Sequence, residues 1–181
     1  MAIELIQYVD ESGRLTGKTE EKLAAHHADT QRHLAFSFYG FDADGRFLAT
    51  QRAHGKKVWP DVWTNTCCGH PAPGETAQQA IRRRLDYEVG ITDAADVQCL
   101  LPDYMYITPP YNGVVENEFC PVYIGRIPTA FTPNPSEVQA YAWMTWQEYV
   151  DDLATNPDKY SYWTKDQAMQ MHDVVIAWLA K

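Results

Sequence analysis

The segment that most constrains the fold is residues 76–90, because its sequence specifies a helix and marks both ends. Its apolar positions recur every four residues and are Ala77, Ile81, Leu85 and Val89. This spacing, with Arg and Gln residues between the apolar positions, is typical of an amphipathic α-helix. Thr76 and Gln79 fit a capping box at its start, and Gly90 fits the C′ position after its end. The sequence therefore predicts a helix over residues 76–89.

Segments rich in aromatic and apolar residues predict strands before and after this helix. Residues 34–41 and 46–52 flank an Asp-Ala-Asp-Gly turn and predict a β-hairpin. Residues 118–127 and 137–146 predict further strands, of which the second shows an alternating pattern. Because strands dominate the middle of the chain and helices lie beside and after them, the pattern predicts an α/β sandwich with a mixed sheet.

Two more helices are predicted after these strands. Thr145 and Glu148 suggest a short helix that ends before Pro157, and residues 164–181 predict an amphipathic terminal helix. The apolar stripe of the terminal helix contains Ala168, Met171, Val175 and Trp178. No internal repeat, low-complexity tract or linker interrupts the chain, so we expect one domain over residues 1–181.

The composition is that of an ordinary soluble globular protein. Of 181 residues, 45% are hydrophobic and 22% are charged. The net charge of -9 provides no field that attracts nucleic acid or an anionic membrane, so a phosphorylated ligand would require a local basic cluster.

The N-terminal residues contain no basic region or long apolar run, and no segment approaches the ~20 apolar residues of a membrane span. We therefore expect a cytoplasmic protein in which Cys67, Cys68, Cys99 and Cys120 are free thiols, with Cys99 and Cys120 as buried apolar side chains.

The loop and helix from 69 to 91 match a known pattern of residue types. The matching positions are Gly69, Glu75, Arg83, Leu85, Glu88, Gly90 and Ile91. They resemble the Nudix box, a loop-helix-loop that binds divalent metal and a diphosphate. Arg84 and Tyr87 depart from it, since that family has glutamates there. Glu88 then remains the expected metal carboxylate on the helix, and Arg84 offers a cation suited to phosphate oxygens. The alternative is an ordinary helix on which Arg84 and Glu88 form an exposed ion pair worth ~0.3–0.5 kcal/mol.

Histidines and glutamates elsewhere in the chain form a second candidate site. His26 and His33 lie just before and at the start of the first predicted hairpin strand, and His70 follows the adjacent cysteines. Glu116 and Glu118 lie two residues apart on an extended segment, so both carboxylates point the same way. Each residue taken alone is more often structural. Together, three imidazoles and two carboxylates suit an octahedral divalent cation such as Mn²⁺ or Mg²⁺, or else Zn²⁺.

Longer motifs along the chain are more specific than these single residues. They are AAHHADTQRHLAFS, KKVWPDVWTNTCCGHP, the Gly-Glu pair at 74–75, RRRLDYEVGI, GVVENEFCPV and YSYW. Together they closely resemble the type 1 isopentenyl-diphosphate Δ-isomerase family, from about residue 22 to residue 163. The resemblance implies a Nudix-like α/β/α sandwich. It also implies an isomerase of isoprenoid biosynthesis that interconverts isopentenyl diphosphate and dimethylallyl diphosphate by moving a double bond one position.

The resemblance also implies catalytic roles for four residues. The thiol of Cys68 would act on one face of the substrate, and Glu116, hydrogen-bonded to Tyr106, would act on the opposite face. Trp163 would lie against the allylic cation, where a desolvated cation–π contact contributes roughly 2 kcal/mol. Cys68 and Glu116 would exchange the roles of acid and base between the two directions of the reaction.

Two metal sites and a basic cradle complete what the resemblance implies. Mn²⁺, Mg²⁺ or Zn²⁺ would be held by His26, His33, His70, Glu116 and Glu118. Mg²⁺ on the diphosphate would be held by Glu88 and the backbone carbonyl of Cys68. The cationic residues expected around the diphosphate are Lys22, Arg52, Lys56 and Arg84. The partner would be a small allylic or homoallylic diphosphate, with no nucleic acid and no membrane span, and the protein a monomer or weak dimer.

Other interpretations of the same residues remain open at this point. A Nudix-type hydrolase would cleave a nucleoside or other diphosphate, and a metal-dependent binding module would bind ligand without turnover. Trp163 could be an ordinary core residue, and Tyr104 or Tyr111 could take the position expected of Tyr106. Lys56 and Lys57 are adjacent, and only the family pattern distinguishes them.

Overall fold

The computed structural model describes residues 4–181. Its strands are β1 (Leu5–Val9), β2 (Leu15–Glu21), β3 (His33–Leu34), β4 (Phe36–Phe41), β5 (Phe47–Arg52), β6 (Trp63–Thr64), β7 (Cys67–Gly69), β8 (Ala95–Leu101), β9 (Met105–Ile107), β10 (Asn117–Phe119), β11 (Val122–Arg126) and β12 (Val138–Met144). Its α-helices are α1 (Lys22–Ala25), α2 (Ala77–Val89), α3 (Trp146–Thr155) and α4 (Tyr162–Leu179). A 3₁₀ turn at Pro157–Lys159 joins α3 to α4.

The strands form two sheets of mixed direction. The larger sheet has the order β12-β5-β4-β11-β8, with β6 added to β5 and β7 added to β4. In it β4 and β11 run parallel, and the other neighbours are antiparallel. The smaller sheet has the order β2-β1-β3-β10-β9, in which only β3 and β10 are parallel. The predicted mixed-sheet architecture is confirmed.

Helices cover both faces of the larger sheet. The side chains of each strand alternate between these faces, so each strand contributes to the core on both sides. The core on the α2 face contains Phe36, Phe38, Leu48, Ile81 and Leu85. The core on the opposite face, beneath α3 and α4, contains Tyr39, Phe41, Trp146, Tyr149, Met171 and Val175. All six residues of β4 are buried as a result. The molecule is the α/β/α sandwich that the family resemblance implies.

The predicted helices form, and the two with predicted capping residues have the expected ends. Thr76 and Gln79 make a complete capping box at the start of α2, and Gly90 follows it in the left-handed conformation with φ of 76°. Thr145 and Glu148 cap α3 in the same way. The predicted apolar stripe of α4 is buried, although the helix begins at Tyr162, two residues before the predicted start.

The strand predicted over residues 118–127 is wrong in one respect, because the structure divides it at Cys120 and Pro121. The part before the break, β10, belongs to the smaller sheet, and the part after it, β11, belongs to the larger sheet. Pro121 has no N–H to donate to a ladder, which favours a break there. The backbone carbonyls of Phe119 and Pro121 still accept hydrogen bonds from Ala35 and Ser37, so the two parallel chain segments pass together from one sheet to the other.

Two other expectations have different outcomes. Cys99 is exposed, which contradicts its expected role as a buried side chain, whereas Cys120 is buried. Within residues 4–181, no helix combines the length and apolar character needed to cross a bilayer.

Candidate active site

Three residues on neighbouring strands of the smaller sheet form the centre of the site. Glu118 on β10 is registered against His33 on β3 and against Tyr106 on β9. Directly opposed residues project from the same face of a sheet, so their side chains are adjacent. The Tyr106 hydroxyl donates to Glu118 Oε2 at 2.8 Å, and His33 Nε2 lies 3.7 Å from Glu118 Oε1.

Two further histidines approach this row from other elements. His70 follows β7 of the larger sheet, and its Nε2 lies 3.1 Å from Glu118 Oε1 and 3.2 Å from His33 Nε2. His26 follows α1, and its ring centroid lies 4.8 Å from that of His33 and 5.5 Å from that of His70. One donor atom from each of these four residues lies within 4.8 Å of all the others.

The donor set fits a divalent metal ion. Two Nε2 atoms and a carboxylate oxygen face each other within a buried space, so their lone pairs can converge on one cation. On the far side of two of the rings, His26 Nδ1 contacts the Lys22 carbonyl at 2.7 Å and His33 Nδ1 contacts the Gln31 carbonyl at 3.0 Å. Such backbone contacts at Nδ1 leave Nε2 free as the metal-binding atom.

Glu116 takes a different position from Glu118. Its Oε2 lies 3.3 Å from His26 Nε2, at the edge of the four-residue group. The predicted hydrogen bond between Tyr106 and Glu116 is wrong, because Tyr106 donates to Glu118 instead. Strand register is the reason: Tyr106 is paired with Glu118, whereas Glu116 lies beside Thr108, whose backbone N–H donates to the Glu116 carbonyl.

The protonation of this group follows from burial and from its internal hydrogen bonds. Burial alone would raise the pKa of Glu118, but hydrogen bonds and charge from His33 and His70 hold that pKa well below its usual range. Burial lowers the pKa of His70 to about 4, despite its contact with Glu118. An ionised carboxylate and a neutral imidazole are the forms that bind metals.

The adjacent cysteines face opposite sides of the larger sheet. Cys67 packs in the core against α2, and burial raises its pKa well above the usual range. Cys68, opposite Ser37 of β4, donates from Sγ to Asn65 Oδ1 at 3.1 Å. Burial also raises the pKa of Cys68, to about 12, so its thiol is protonated at neutral pH. Of these two adjacent cysteines, it is Cys68 that contacts polar side chains, those of Asn65 and Ser37.

Trp163, in the first turn of α4, shares a hydrogen-bond acceptor with the Cys68 thiol and packs near the ring of Tyr106. Its Nε1 donates to Asn65 Oδ1 at 3.1 Å, the atom that also accepts from Cys68. Its ring centroid lies 6.0 Å from that of Tyr106. Tyr104 packs behind Tyr106 at 5.9 Å. Tyr106 is therefore the tyrosine that reaches Glu118.

Tyr111 packs against Trp59, with ring centroids 5.0 Å apart. Arg52 lies over the Trp163 ring at 5.8 Å and donates to the backbone carbonyls of Trp59 and Val58. Its guanidinium is therefore held by backbone carbonyls, unlike the other predicted cations, which pair with carboxylates.

Those other three cations meet three carboxylates. Lys22 contacts Glu4 at 2.9 Å, and Lys56 contacts Glu137 at 2.5 Å. Arg84 contacts Glu88 at 2.5 Å, Glu137 at 3.5 Å and Glu4 at 3.8 Å. The three cations therefore lie in one cluster, joined through Glu4 and Glu137, that holds as many carboxylates as cations.

The alternative of an exposed ion pair on α2 is wrong, because Arg84 is only 8% exposed. Gly69 allows this burial, since a Cβ atom there would lie 2.8 Å from Arg84 Cγ. Burial raises the pKa of Glu88, an effect that the charge of Arg84 only partly offsets.

Sequence reasoning gave no role to four residues that belong to this region. They are Glu4, Ser37, Asn65 and Glu137. Asn65 lies within the WTNTCCGHP motif and could have been found there. Ser37 is likewise the last residue of the AAHHADTQRHLAFS motif, whereas Glu4 and Glu137 come from distant parts of the chain and carry no local pattern.

Comparison with known proteins agrees with this geometry. The NUDIX domain family matches residues 31–165. The chain is similar to the isopentenyl-diphosphate Delta-isomerase of Frankia alni, with 47% identity over 82% of this chain and 76% of that protein. It is similarly related to the enzyme of the same name from Klebsiella pneumoniae, with 44% identity over 90% of this chain and 88% of that protein.

Solved structures show the same fold at low sequence identity. A Deinococcus radiodurans protein superposes with a TM-score of 0.68 at 16% identity, over 92% of this chain and 98% of that one. The MutT protein of Methanosarcina mazei superposes with a TM-score of 0.61 at 15% identity, over 78% of this chain and 94% of that one. The chain therefore has the Nudix fold and belongs to the isopentenyl-diphosphate Delta-isomerase family.

Proposed function

We propose that this protein interconverts isopentenyl diphosphate and dimethylallyl diphosphate with the Cys68 thiol and the Glu118 carboxylate as its two proton-transfer groups. The observation that carries this proposal is the position of Trp163. The indole shares Asn65 Oδ1 with the protonated thiol of Cys68 and lies 6.0 Å from the ring of Tyr106, which donates to Glu118. An acid and a carboxylate are thus both linked to one indole, the thiol through Asn65 and the carboxylate through Tyr106.

The reaction needs these groups because an unactivated alkene is a weak base. One group adds a proton to a terminal carbon of the double bond, and the other removes a proton from the carbon on the far side of the tertiary centre. One proton is gained and one is lost, so the substrate keeps its composition while the double bond moves. The face of Trp163 stabilises the intervening positive charge by about 2 kcal/mol when water is excluded. In the reverse direction the two groups exchange roles.

We assign proton transfer to the carboxylate of Glu118 and not to that of Glu116. Tyr106 donates to Glu118, and a phenol with its pKa raised by burial is a neutral donor that can stabilise the carboxylate. Glu116 contacts only the outer histidine of the group, His26, through its carboxylate. We assign Glu116 to holding that histidine and the metal.

The metal ligands follow from the same donor set. We propose that His26, His33, His70, Glu116 and Glu118 hold Mn²⁺, Mg²⁺ or Zn²⁺. A cation bound there would supply positive charge that tunes the acidity of its carboxylate ligands. We also propose that Glu88 and the Cys68 carbonyl hold the Mg²⁺ that accompanies the diphosphate.

The cations provide the diphosphate cradle in this proposal. Lys22, Lys56 and Arg84 are paired with protein carboxylates, which the diphosphate oxygens would replace or join. Arg52, held against Trp163, would contact the diphosphate from the side of the hydrocarbon. The substrate would then lie with its charged end among the cations and its alkene at the indole.

A Nudix-type hydrolase is the second candidate that the fold allows. The structure offers little to support it, since the buried guanidinium of Arg84 stands where that box has a carboxylate, and Tyr87 is exposed. A hydrolase would release phosphate or pyrophosphate, whereas an isomerase would leave the diphosphate intact.

The test is incubation with isopentenyl diphosphate, Mg²⁺ and Mn²⁺ in D₂O. We expect dimethylallyl diphosphate that carries deuterium, with no phosphate released. Cys68→Ala should abolish turnover. Cys67→Ala should retain most of it, because Cys67 faces the α2 core.

Two results would contradict the proposal. One is phosphate release without double-bond migration by metal-loaded protein. The other is an equal loss of turnover in the Cys67 and Cys68 variants.

A further inference from the structure

The side-chain amide of Asn65 has an orientation that its surroundings determine. Asn65 is completely buried in the loop between β6 and β7. Its Nδ2 donates to the backbone carbonyl of Cys67 at 2.7 Å and to that of Phe38 at 3.2 Å. Two carbonyl oxygens cannot both face an amide oxygen, so the nitrogen must point to them and Oδ1 must point the other way.

Three donors meet at this single oxygen. Asn65 Oδ1 accepts from Thr64 Oγ1 at 2.8 Å, from Cys68 Sγ at 3.1 Å and from Trp163 Nε1 at 3.1 Å. Thr64 and Trp163 are both buried as well. One carbonyl therefore determines where the thiol and the indole lie relative to each other.

A second contact holds the thiol from another direction. Ser37 Oγ lies 3.6 Å from Cys68 Sγ and accepts from Gln167 Nε2 at 3.0 Å. Ser37 and Gln167 are completely buried, and Gln167 lies on the same helix as Trp163. Rotation of the Cys68 side chain would break hydrogen bonds on both sides.

We propose that Asn65 is a positioning residue, which places the Cys68 thiol and the Trp163 indole for proton transfer by binding both through Oδ1. The inference rests on the proposed isomerase function. Asn65 then contributes to the chemical step and not to binding of the diphosphate, because none of its hydrogen bonds involves the proposed diphosphate cations, which are Lys22, Arg52, Lys56 and Arg84.

The main test is steady-state kinetics of Asn65→Ala with isopentenyl diphosphate. We expect kcat to fall about 10–100-fold, since a displacement of about 1 Å at a reacting group can reduce the rate by that factor. KM should stay within about threefold of the wild-type value, because the cationic cradle is unchanged. Binding of inorganic pyrophosphate in the presence of Mg²⁺ should also be unchanged.

Two threonines provide a matched pair that separates positioning from stability. Thr64 and Thr50 are partners on adjacent strands, and both are buried. The Thr64 hydroxyl donates to Asn65 Oδ1 at 2.8 Å, whereas the Thr50 hydroxyl donates to the backbone carbonyl of Asn65 at 2.8 Å. Each Thr→Val substitution removes two buried contacts, because the Thr64 hydroxyl also contacts Ser161 Oγ at 3.0 Å and the Thr50 hydroxyl also contacts the Thr66 carbonyl at 3.4 Å. Only Thr64→Val removes a donor from the side-chain oxygen of Asn65. We expect Thr64→Val to lower kcat and Thr50→Val to leave it unchanged, with similar losses of thermal stability.

The outcomes are distinct. A lower kcat at constant KM in Asn65→Ala and Thr64→Val, but not in Thr50→Val, supports the positioning role. Unchanged kcat in Thr64→Val, or equal losses in both threonine variants, overturns it even if Asn65→Ala fails to fold. Absence of double-bond migration in the wild-type protein overturns the proposed function and the positioning role with it.

Discussion

Glu116 and Glu118 lie two residues apart, and their neighbours give them different chemical environments. Glu118 is registered between His33 and Tyr106, accepts from the phenol and contacts two histidines. Glu116 contacts His26 from the edge. The sequence predicts that both carboxylates point the same way, but a period of two residues cannot show which one faces a given tyrosine. That choice depends on strand register, which here is determined by the pairing of distant segments.

Substitution of the two glutamates by glutamine tests this difference. Glu118→Gln should lower kcat about 10²–10⁴-fold, the range for loss of a general acid or base. Glu116→Gln should cause a smaller loss, part of which excess Mn²⁺ restores, because its role is to hold His26 and the metal. The measurement is kcat at several Mn²⁺ concentrations for both variants. A larger, metal-independent loss in Glu116→Gln would return the catalytic role to Glu116.

At the scale of elements, the segments with strong local signals were predictable and the polar strands were not. The helix over 77–89 carries an apolar period and two caps, so its bounds follow from the sequence. All seven residues of β2 are exposed, and β8 is mostly exposed, so neither carries the apolar alternation by which a strand is recognised. These two strands form because neighbouring strands provide backbone hydrogen bonds, and the residues of β2 and β8 themselves do not indicate that such partners exist.

Replacing two glycines, one before α2 and one directly after it, tests how much the close packing at the end of this helix contributes to stability. Gly90 and Gly74 both have positive φ, of 76° and 80°, which disfavours any residue with a Cβ. At Gly90 a Cβ would lie 2.5 Å from the backbone oxygen of Thr132, whereas at Gly74 no atom of residues 4–181 outside the adjoining chain would lie within 4 Å of it.

Gly74→Ala should therefore lower the free energy of unfolding by about 1–2 kcal/mol, the cost of the left-handed conformation. Gly90→Ala should lower it by more, because backbone must also move. Urea unfolding of both variants measures the difference. Equal values would show that the contact with Thr132 is relieved at no cost.

At the scale of the whole molecule, the site lies where the two sheets meet. His33 and Glu118 come from the smaller sheet, and Cys68 and His70 come from β7 of the larger sheet and the residue that follows it. The paired segments β3-β4 and β10-β11 pass from one sheet to the other side by side, which brings the two halves together. The family motifs contain these residues, but no local pattern shows that they come from two sheets. That part of the site required the structure.

A metal that joins both sheets should stabilise the entire fold. The four converging residues come from after α1, from β3, from after β7 and from β10, so a cation bound to them links elements that are distant in sequence. Binding to the native state alone adds about 2.7 kcal/mol at a free metal concentration of 100 times Kd. For a chain of this length, Mn²⁺ should then raise Tm by about 5–10 °C relative to chelator-treated protein.

His26 and His54 allow this linkage to be assigned to the cluster. His26→Ala removes one of the four converging donors at a partly buried position, whereas the side chain of His54 is 87% exposed and contacts Asp61 on the surface. The rise in Tm with Mn²⁺ should shrink in His26→Ala and remain in His54→Ala, as measured by thermal unfolding with chelator and with excess metal. The rise should also diminish as pH falls, because protons compete with the metal for imidazole and carboxylate. An equal rise in both variants would place the stabilising cation elsewhere and would leave the histidine cluster as a hydrogen-bonded structural group.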